Sequence, residues 1–200
     1  MASTERNAGT GTDGGESINP TWIDVGNIVS SNNTNSVVAV SSTNNISNSL
    51  TASNFGFTIP SFATIDGIIC TVERRASAAN TITDYSVRIV KNGSIPAGSD
   101  DKKNIVTFWS TVEGDESYGS PTDLWNTTWF PSDINATNFG FAIRCEYIPA
   151  YSVETALVDL MYITIYYTID NLNFGTTSIS KAYYGSTEIK SVYYGSTQIV

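Results

Sequence analysis

Histidine is absent from the 200 residues. With it go Ser-His-Asp and Cys-His catalysis and the commonest transition-metal ligand. Cysteine occurs twice, as Cys70 and Cys145, too few for a disulfide framework or for a zinc site without histidine. Charge is scarce: 14% of the residues are Asp, Glu, Lys or Arg, against about 25% in an average soluble domain. Among them 10 Lys and Arg face 19 Asp and Glu, a net −9, so nucleic acid is not an expected partner, because few phosphates can be neutralised. No window holds the roughly 18 apolar residues of a membrane span, and residues 1–17 lack the apolar stretch of a secretory signal. Gly-x-Ser-x-Gly, a phosphate-binding glycine loop and Cys-x-x-Cys are all missing.

Ser, Thr, Asn and Gly fill the space that charge leaves, and 11 Tyr, 8 Phe and 4 Trp supply bulk. Short apolar runs separated by turn residues read as strands, at 36–41, 56–59, 67–74, 85–91, 105–109, 139–148 and 156–168. In 85–91, Tyr85, Val87 and Ile89 alternate onto one face. The last run is apolar on both faces apart from Asp159 and two threonines, the pattern of a central strand. Sustained helical spacing is absent; one helical turn is expected at Pro131-Ser132-Asp133-Ile134. Alternation places Cys70 with Ile68 and Val72, and Cys145 with Phe141, Ile143 and Tyr147, on the apolar side. The two thiols read as small buried hydrophobes, with a bond between neighbouring strands as the alternative. The expected fold is all-β: an antiparallel two-sheet sandwich, jelly-roll or immunoglobulin-like.

Three segments are expected. Residues 1–20 are polar and glycine-rich and read as a flexible N-terminal arm. Residues 21–168 form the sandwich. Residues 169–200 form a tail of three ten-residue hairpin repeats, Phe174-Gly175-Thr176-Thr177-Ser178-Ile179, Tyr184-Gly185-Ser186-Thr187-Glu188-Ile189 and Tyr194-Gly195-Ser196-Thr197-Gln198-Ile199. A lone two-stranded hairpin is marginal in water. The tail therefore reads as an assembly element, with Tyr183, Tyr184, Ile189, Tyr193, Tyr194 and Ile199 as its contact residues. A second repeat pairs Asn54-Phe55-Gly56-Phe57 with Asn138-Phe139-Gly140-Phe141, as two equivalent strand entries.

Catalysis and metal binding find little footing. The carboxylates, Asp84 and Glu113 among them, are scattered over loops and strand ends and are expected to be mostly solvated. Gly114-Asp115-Glu116 and Ser99-Asp100-Asp101 offer oxygen ligands but fit no calcium-loop pattern. No cofactor, metal ion or catalytic residue is therefore assigned. Trp109, Tyr118, Trp125 and Trp129 are the candidate glycan contacts, since sugars stack on exposed aromatics; the competing reading is that they plug the sandwich.

Trp22 with Gly26-Asn27-Ile28, then Asn54-Phe55-Gly56-Phe57-Thr58-Ile59-Pro60 and Ala63-Thr64-Ile65-Asp66-Gly67-Ile68, resembles a β-sandwich module of bacteriophage and prophage virion proteins. Leu124-Trp125, Trp129, Asp133 to Gly140 and Ile163-Thr164-Ile165-Tyr166-Tyr167 continue the same order. The C-terminal Tyr-Gly-Ser-Thr-x-Ile units are similar to repeats at the ends of phage fibre and head proteins. The resemblance implies a non-enzymatic virion protein, assembled in the bacterial host cytoplasm. Its partners would be capsid or tail subunits and further copies of itself, with a host surface glycan as an added partner and no membrane. Capsid decoration or a head fibre is favoured over a tail-fibre module, and a carbohydrate-binding adhesin is the alternative.

Overall fold

The computed structural model describes residues 1–16, 18–148 and 153–169, and the strand backbones at 173–174, 177–178, 182–184, 187–189, 193–194 and 197–198. Residues 1–168 form one compact unit and 169–200 a second. The first unit is a sandwich of two antiparallel sheets, as the sequence pattern leads one to expect. One sheet runs β1 (Ala2–Asn7), β9 (Val153–Ile169), β5 (Ala63–Ala76), β7 (Gly114–Ser120), with β3 (Ser36–Ser41) also paired to β9. The other runs β2 (Thr10–Asp13), β4 (Leu50–Ser53), β8 (Gly140–Tyr147), β6 (Ile82–Val90). From β3 to β9 successive strands alternate between the sheets and no consecutive pair shares one. That is the interleaving of a jelly roll, whereas an immunoglobulin sandwich keeps consecutive strands together in a sheet.

Alternation explains the core. Ile68, Cys70 and Val72 of β5 face inward and are fully buried, opposite Val87 and Ile89 of β6 and Phe141, Ile143 and Cys145 of β8. The thiols stay free, one in each sheet. Burial pushes the Cys145 thiol up to about 12, and burial with the Asp123 charge raises that of Cys70. The Phe-Gly-Phe repeat packs as one cluster, Phe55 lying 6.2 Å from Phe139 and 6.5 Å from Phe141, ring centre to ring centre. Its two copies are not equivalent strand entries, however. The second opens β8, while residues 56–59 stay irregular and the strand lies just before them, as β4. Gly140 is required by a close approach: a Cβ there would stand 1.9 Å from the Ala52 carbonyl oxygen of β4. The expected helical turn is present as α1 (Pro131–Ile134).

The N-terminal segment is a correction. It is no loose arm: β1 pairs with β9 from Ala2↔Tyr167 to Asn7↔Tyr162, and β2 pairs with β4 from Thr10↔Ser53 to Asp13↔Leu50. Backbone hydrogen bonding, not apolar burial, holds these strands, so their polar composition concealed them. Side chains then fasten the segment. Asp13 accepts from the Trp22 backbone N–H at 2.8 Å and from Asn48 Nδ2 at 2.7 Å, and Glu16 accepts from the Ser49 hydroxyl at 2.6 Å. One further strand expectation fails. Residues 105–109 carry no strand, and Ile105 and Val106 are exposed. The strand of that region is β7, a run of Gly, Ser and acids that pairs with β5 from Ile68↔Ser120 to Arg74↔Gly114.

The second unit contains three two-stranded antiparallel hairpins, β10–β11 (Asn173–Phe174 with Thr177–Ser178), β12–β13 (Ala182–Tyr184 with Thr187–Ile189) and β14–β15 (Tyr193–Tyr194 with Thr197–Gln198). Their ten-residue period is the one read from the sequence. Tyr183, Tyr184, Ile189, Tyr193 and Tyr194 lie on these strands with side chains outside the described residues, and Ile199 lies outside them altogether.

Because β1 and β2 each complete a sheet, deletion of residues 1–13 should lower the melting temperature by about 10 °C or more, on the scale of about 2–4 °C per kcal/mol for a chain of this size. Thermal unfolding followed by circular dichroism checks this; an unchanged midpoint would restore the dispensable arm.

Candidate functional site

Asp84 on β6 is fully buried. It was expected to be solvated with the other acids. Instead Arg74, from β5 of the opposite sheet and 6% exposed, donates from Nη1 to Asp84 Oδ1. Trp109 Nε1 donates to the same oxygen at 2.8 Å. Oδ2 accepts from the Tyr118 hydroxyl at 2.8 Å and from the Asn104 backbone N–H at 2.9 Å. The guanidinium carbon lies 4.3 Å from the Trp109 ring centre and 5.6 Å from that of Tyr118. Burial and the Asp84 charge hold the Tyr118 phenol well above its ordinary value, with Arg74 opposing them. A carboxylate taking four donors and a cation stacked on two rings form a satisfied network that joins the sheets. It has no lone pair to spare for abstracting a substrate proton.

Above this cluster a pocket of about 340 Å³ opens, lined by Arg74, residues 107–110 and residues 112–116. Half-buried Phe108 supplies its aromatic surface, and Glu113, Asp115 and Glu116 make its rim acidic. Val112 is 74% exposed nearby in sequence, as is Val106 at 88%. Its lining sets hydrogen-bond-accepting carboxylates beside the apolar ring of Phe108.

The four aromatics named as glycan contacts are not that surface. Trp109, Tyr118, Trp125 and Trp129 are 2%, 4%, 0% and 8% exposed. Each polar tip is already engaged inside: Trp125 Nε1 donates to the Ile68 carbonyl and Trp129 Nε1 to the Leu124 carbonyl, both at 3.0 Å. A ring stacks on a sugar only through an open face, so the plugging role is the one these residues perform. Lys102 ties the neighbouring loop, reaching Asp100 and Asp123 at 2.7 Å each and lying 5.7 Å from the Trp125 ring centre. The sequence signal missed here was Asp84 inside an alternating strand, where a carboxylate needs a buried partner.

On the outer side of the β9-β5-β7 sheet, carboxylate oxygens of Glu73, Glu113 and Asp159 lie within 4.8 Å of one another. Burial, and then the charges of Asp159 and Glu73, raise the Glu113 carboxyl above its ordinary value, with Arg75 opposing them. The sequence grouped all three with the scattered carboxylates and singled out Asp159 only as the break in the last apolar run. No helix among the described residues is long and apolar enough to cross a membrane.

No protein-family model and no curated protein matches this chain. A solved structure described as "CBM4 structure and function" is similar over 80% of this chain and 92% of its own, at 11% identity and a TM-score of 0.39. A likeness at that level carries no argument about function.

Substituting Trp109 or Trp125 by Ala should each cost about 3–5 kcal/mol, the range for large core aromatics. Asp84→Ala should cost a similar 3–5 kcal/mol or so, because it leaves a buried guanidinium without its counter-charge. Urea unfolding of the three variants checks this; losses below about 1 kcal/mol would return the aromatics to a surface role.

Proposed function

We propose that this chain is a non-enzymatic structural protein of the bacteriophage particle surface, a capsid decoration or head-fibre protein in preference to a tail-fibre module. The observation that carries the reading is the series of three hairpins after the sandwich, each only two or three residue pairs long. Such hairpins are marginal by themselves and gain stability by pairing with or packing on another surface. The ordered sequence motifs resembling virion sandwiches support it. So does the absence of histidine, together with the full engagement of Asp84 by structural donors. In this reading the jelly roll is the rigid body. The tail, without help from the N-terminal segment, docks on capsid or tail subunits or on further copies of the chain. The net −9 charge keeps a particle carrying many copies soluble.

A second reading, recognition of a host-surface glycan by an adhesin module, is favoured by one observation, the acidic pocket beside Phe108. Of the four buried aromatics only Trp109 borders this pocket, and it is 2% exposed.

Removal of residues 170–200 should abolish incorporation into particles, or self-association, while leaving the sandwich melting temperature within a few degrees. Cryo-electron microscopy of particles assembled with the truncated chain checks it; wild-type occupancy would end the assembly role of the tail. For the second reading, Phe108→Ala should lower retention on immobilised cell-surface polysaccharide at least about tenfold without changing stability. Equal retention of variant and parent would remove the pocket from consideration.

A further inference from the structure

We infer that Glu73, Glu113 and Asp159 form a calcium site that clamps three neighbouring strands of one sheet. Glu73 lies on β5, Glu113 immediately precedes β7 and Asp159 lies on β9; the sheet order β9-β5-β7 makes them neighbours although they are far apart in sequence. One carboxylate oxygen from each lies within 4.8 Å of the other two.

The independent observation is Asp159 itself. Inward residues of β9 run Ala156, Val158, then Met161, Ile163, Ile165, so the alternation slips by one between Val158 and Met161. Asp159 is thereby left off the core side, yet it is fully buried. The loop before β3 covers it: Oδ2 accepts from the backbone N–H groups of Asn32 at 2.8 Å and Asn33 at 2.9 Å. Oδ1 has no hydrogen-bond partner, and the carboxylate is turned toward the two glutamates. A buried carboxylate oxygen without a donor is costly unless a cation meets it.

The donor chemistry selects the ion. All three ligands are carboxylates, and a chain without histidine offers no nitrogen to a softer metal, so a hard cation is indicated. Ca²⁺ takes about 6–8 oxygens in a flexible, irregular shell, whereas Mg²⁺ demands a near-ideal octahedron and gives up its waters reluctantly. Three carboxylate oxygens all within 4.8 Å of one another fall inside the roughly 5 Å span of a single Ca²⁺ shell. Arg75, whose Nε lies 3.8 Å from Glu113 Oε2, is the cation already present. Against three carboxylates it leaves two negative charges for a divalent ion. Glu73 and Glu113 are only partly buried, so water can complete the coordination shell.

The test uses the full chain stripped with chelator and dialysed. Titration with CaCl₂ should give one site at about 0.1–1 mM, the range of modest-affinity modules. It should also raise the melting temperature by about 5 °C or more at a hundredfold excess over Kd. MgCl₂ at the same concentration should give less than half that shift. Because Asp159→Asn risks the fold, the deciding variants are Glu73→Gln and Glu113→Gln. Each should fold and lose at least about tenfold in calcium affinity. Absence of any calcium-dependent shift at about 10 mM, well above the expected Kd, would overturn the site, as would an equal shift in both variants. So would a melting temperature that rises on acidification and ignores calcium, the signature of carboxyls sharing a proton.

Discussion

Two opposite charges withdrawn from water hold the two sheets of this protein in register at one end. Arg74 comes from one sheet and Asp84 from the other, and neither tolerates burial without its partner. Their pairing alone would be weak evidence for stability, since desolvation offsets the attraction. What makes the arrangement favourable is the company around it. Trp109, Tyr118 and Asn104 fill the remaining acceptor positions of Asp84, and Trp109 and Tyr118 present ring faces to the cation. The geometry also decides how the connection between β6 and β7 runs. Asn104 and Trp109 must return to Asp84, so the segment between them bulges outward, exposing Ile105 and Val106. The pocket lies against this same segment and is therefore a by-product of satisfying one buried carboxylate.

The strands with apolar alternation were legible from sequence because burial wrote the pattern. β3, β5, β6, β8 and β9 all lie where alternating Val, Ile, Phe and Tyr indicated. β1, β2 and β7 were not, since a strand that adds to an edge mostly through its backbone can be built from Ser, Thr, Gly and acids. The aromatics show a related limit. Composition and spacing place four large rings in one loop-rich stretch; whether they face water depends on carbonyls supplied from far away, such as that of Ile68 for Trp125, 57 residues distant. The C-terminal repeat was legible because its period is a property of the chain and not of its partners.

The division of labour between the two units bears on function. The sandwich buries its four tryptophans and closes one edge of β9 by laying β1 and β3 along different stretches of it. An edge covered in this way is not available for strand addition. The hairpins of residues 169–200 are the opposite case: short ladders, repeated, in a compact unit of their own. In the proposed reading the hairpins, rather than the β9 edge, supply the contacts.

The outer face of the β9-β5-β7 sheet poses the converse question, why like charges are kept together. Glu73 lies directly opposite Asp115 across β5 and β7, a pairing that costs free energy in an antiparallel sheet. Asp115 is relieved in part, accepting from the Tyr162 hydroxyl at 2.9 Å. Glu73, Glu113 and Asp159 have Arg75 near them, at 3.8 Å from Glu113. Asp159 also accepts from two backbone N–H groups, and these engage only Oδ2. Solvent can screen the two glutamates but cannot reach Asp159, which the Asn32–Asn33 backbone covers. A slip in the β9 alternation is what put that residue under cover. A slip that served packing alone would have been met as well by Asn or Ser at this position. A carboxylate there accounts for its own burial only if positive charge reaches its second oxygen.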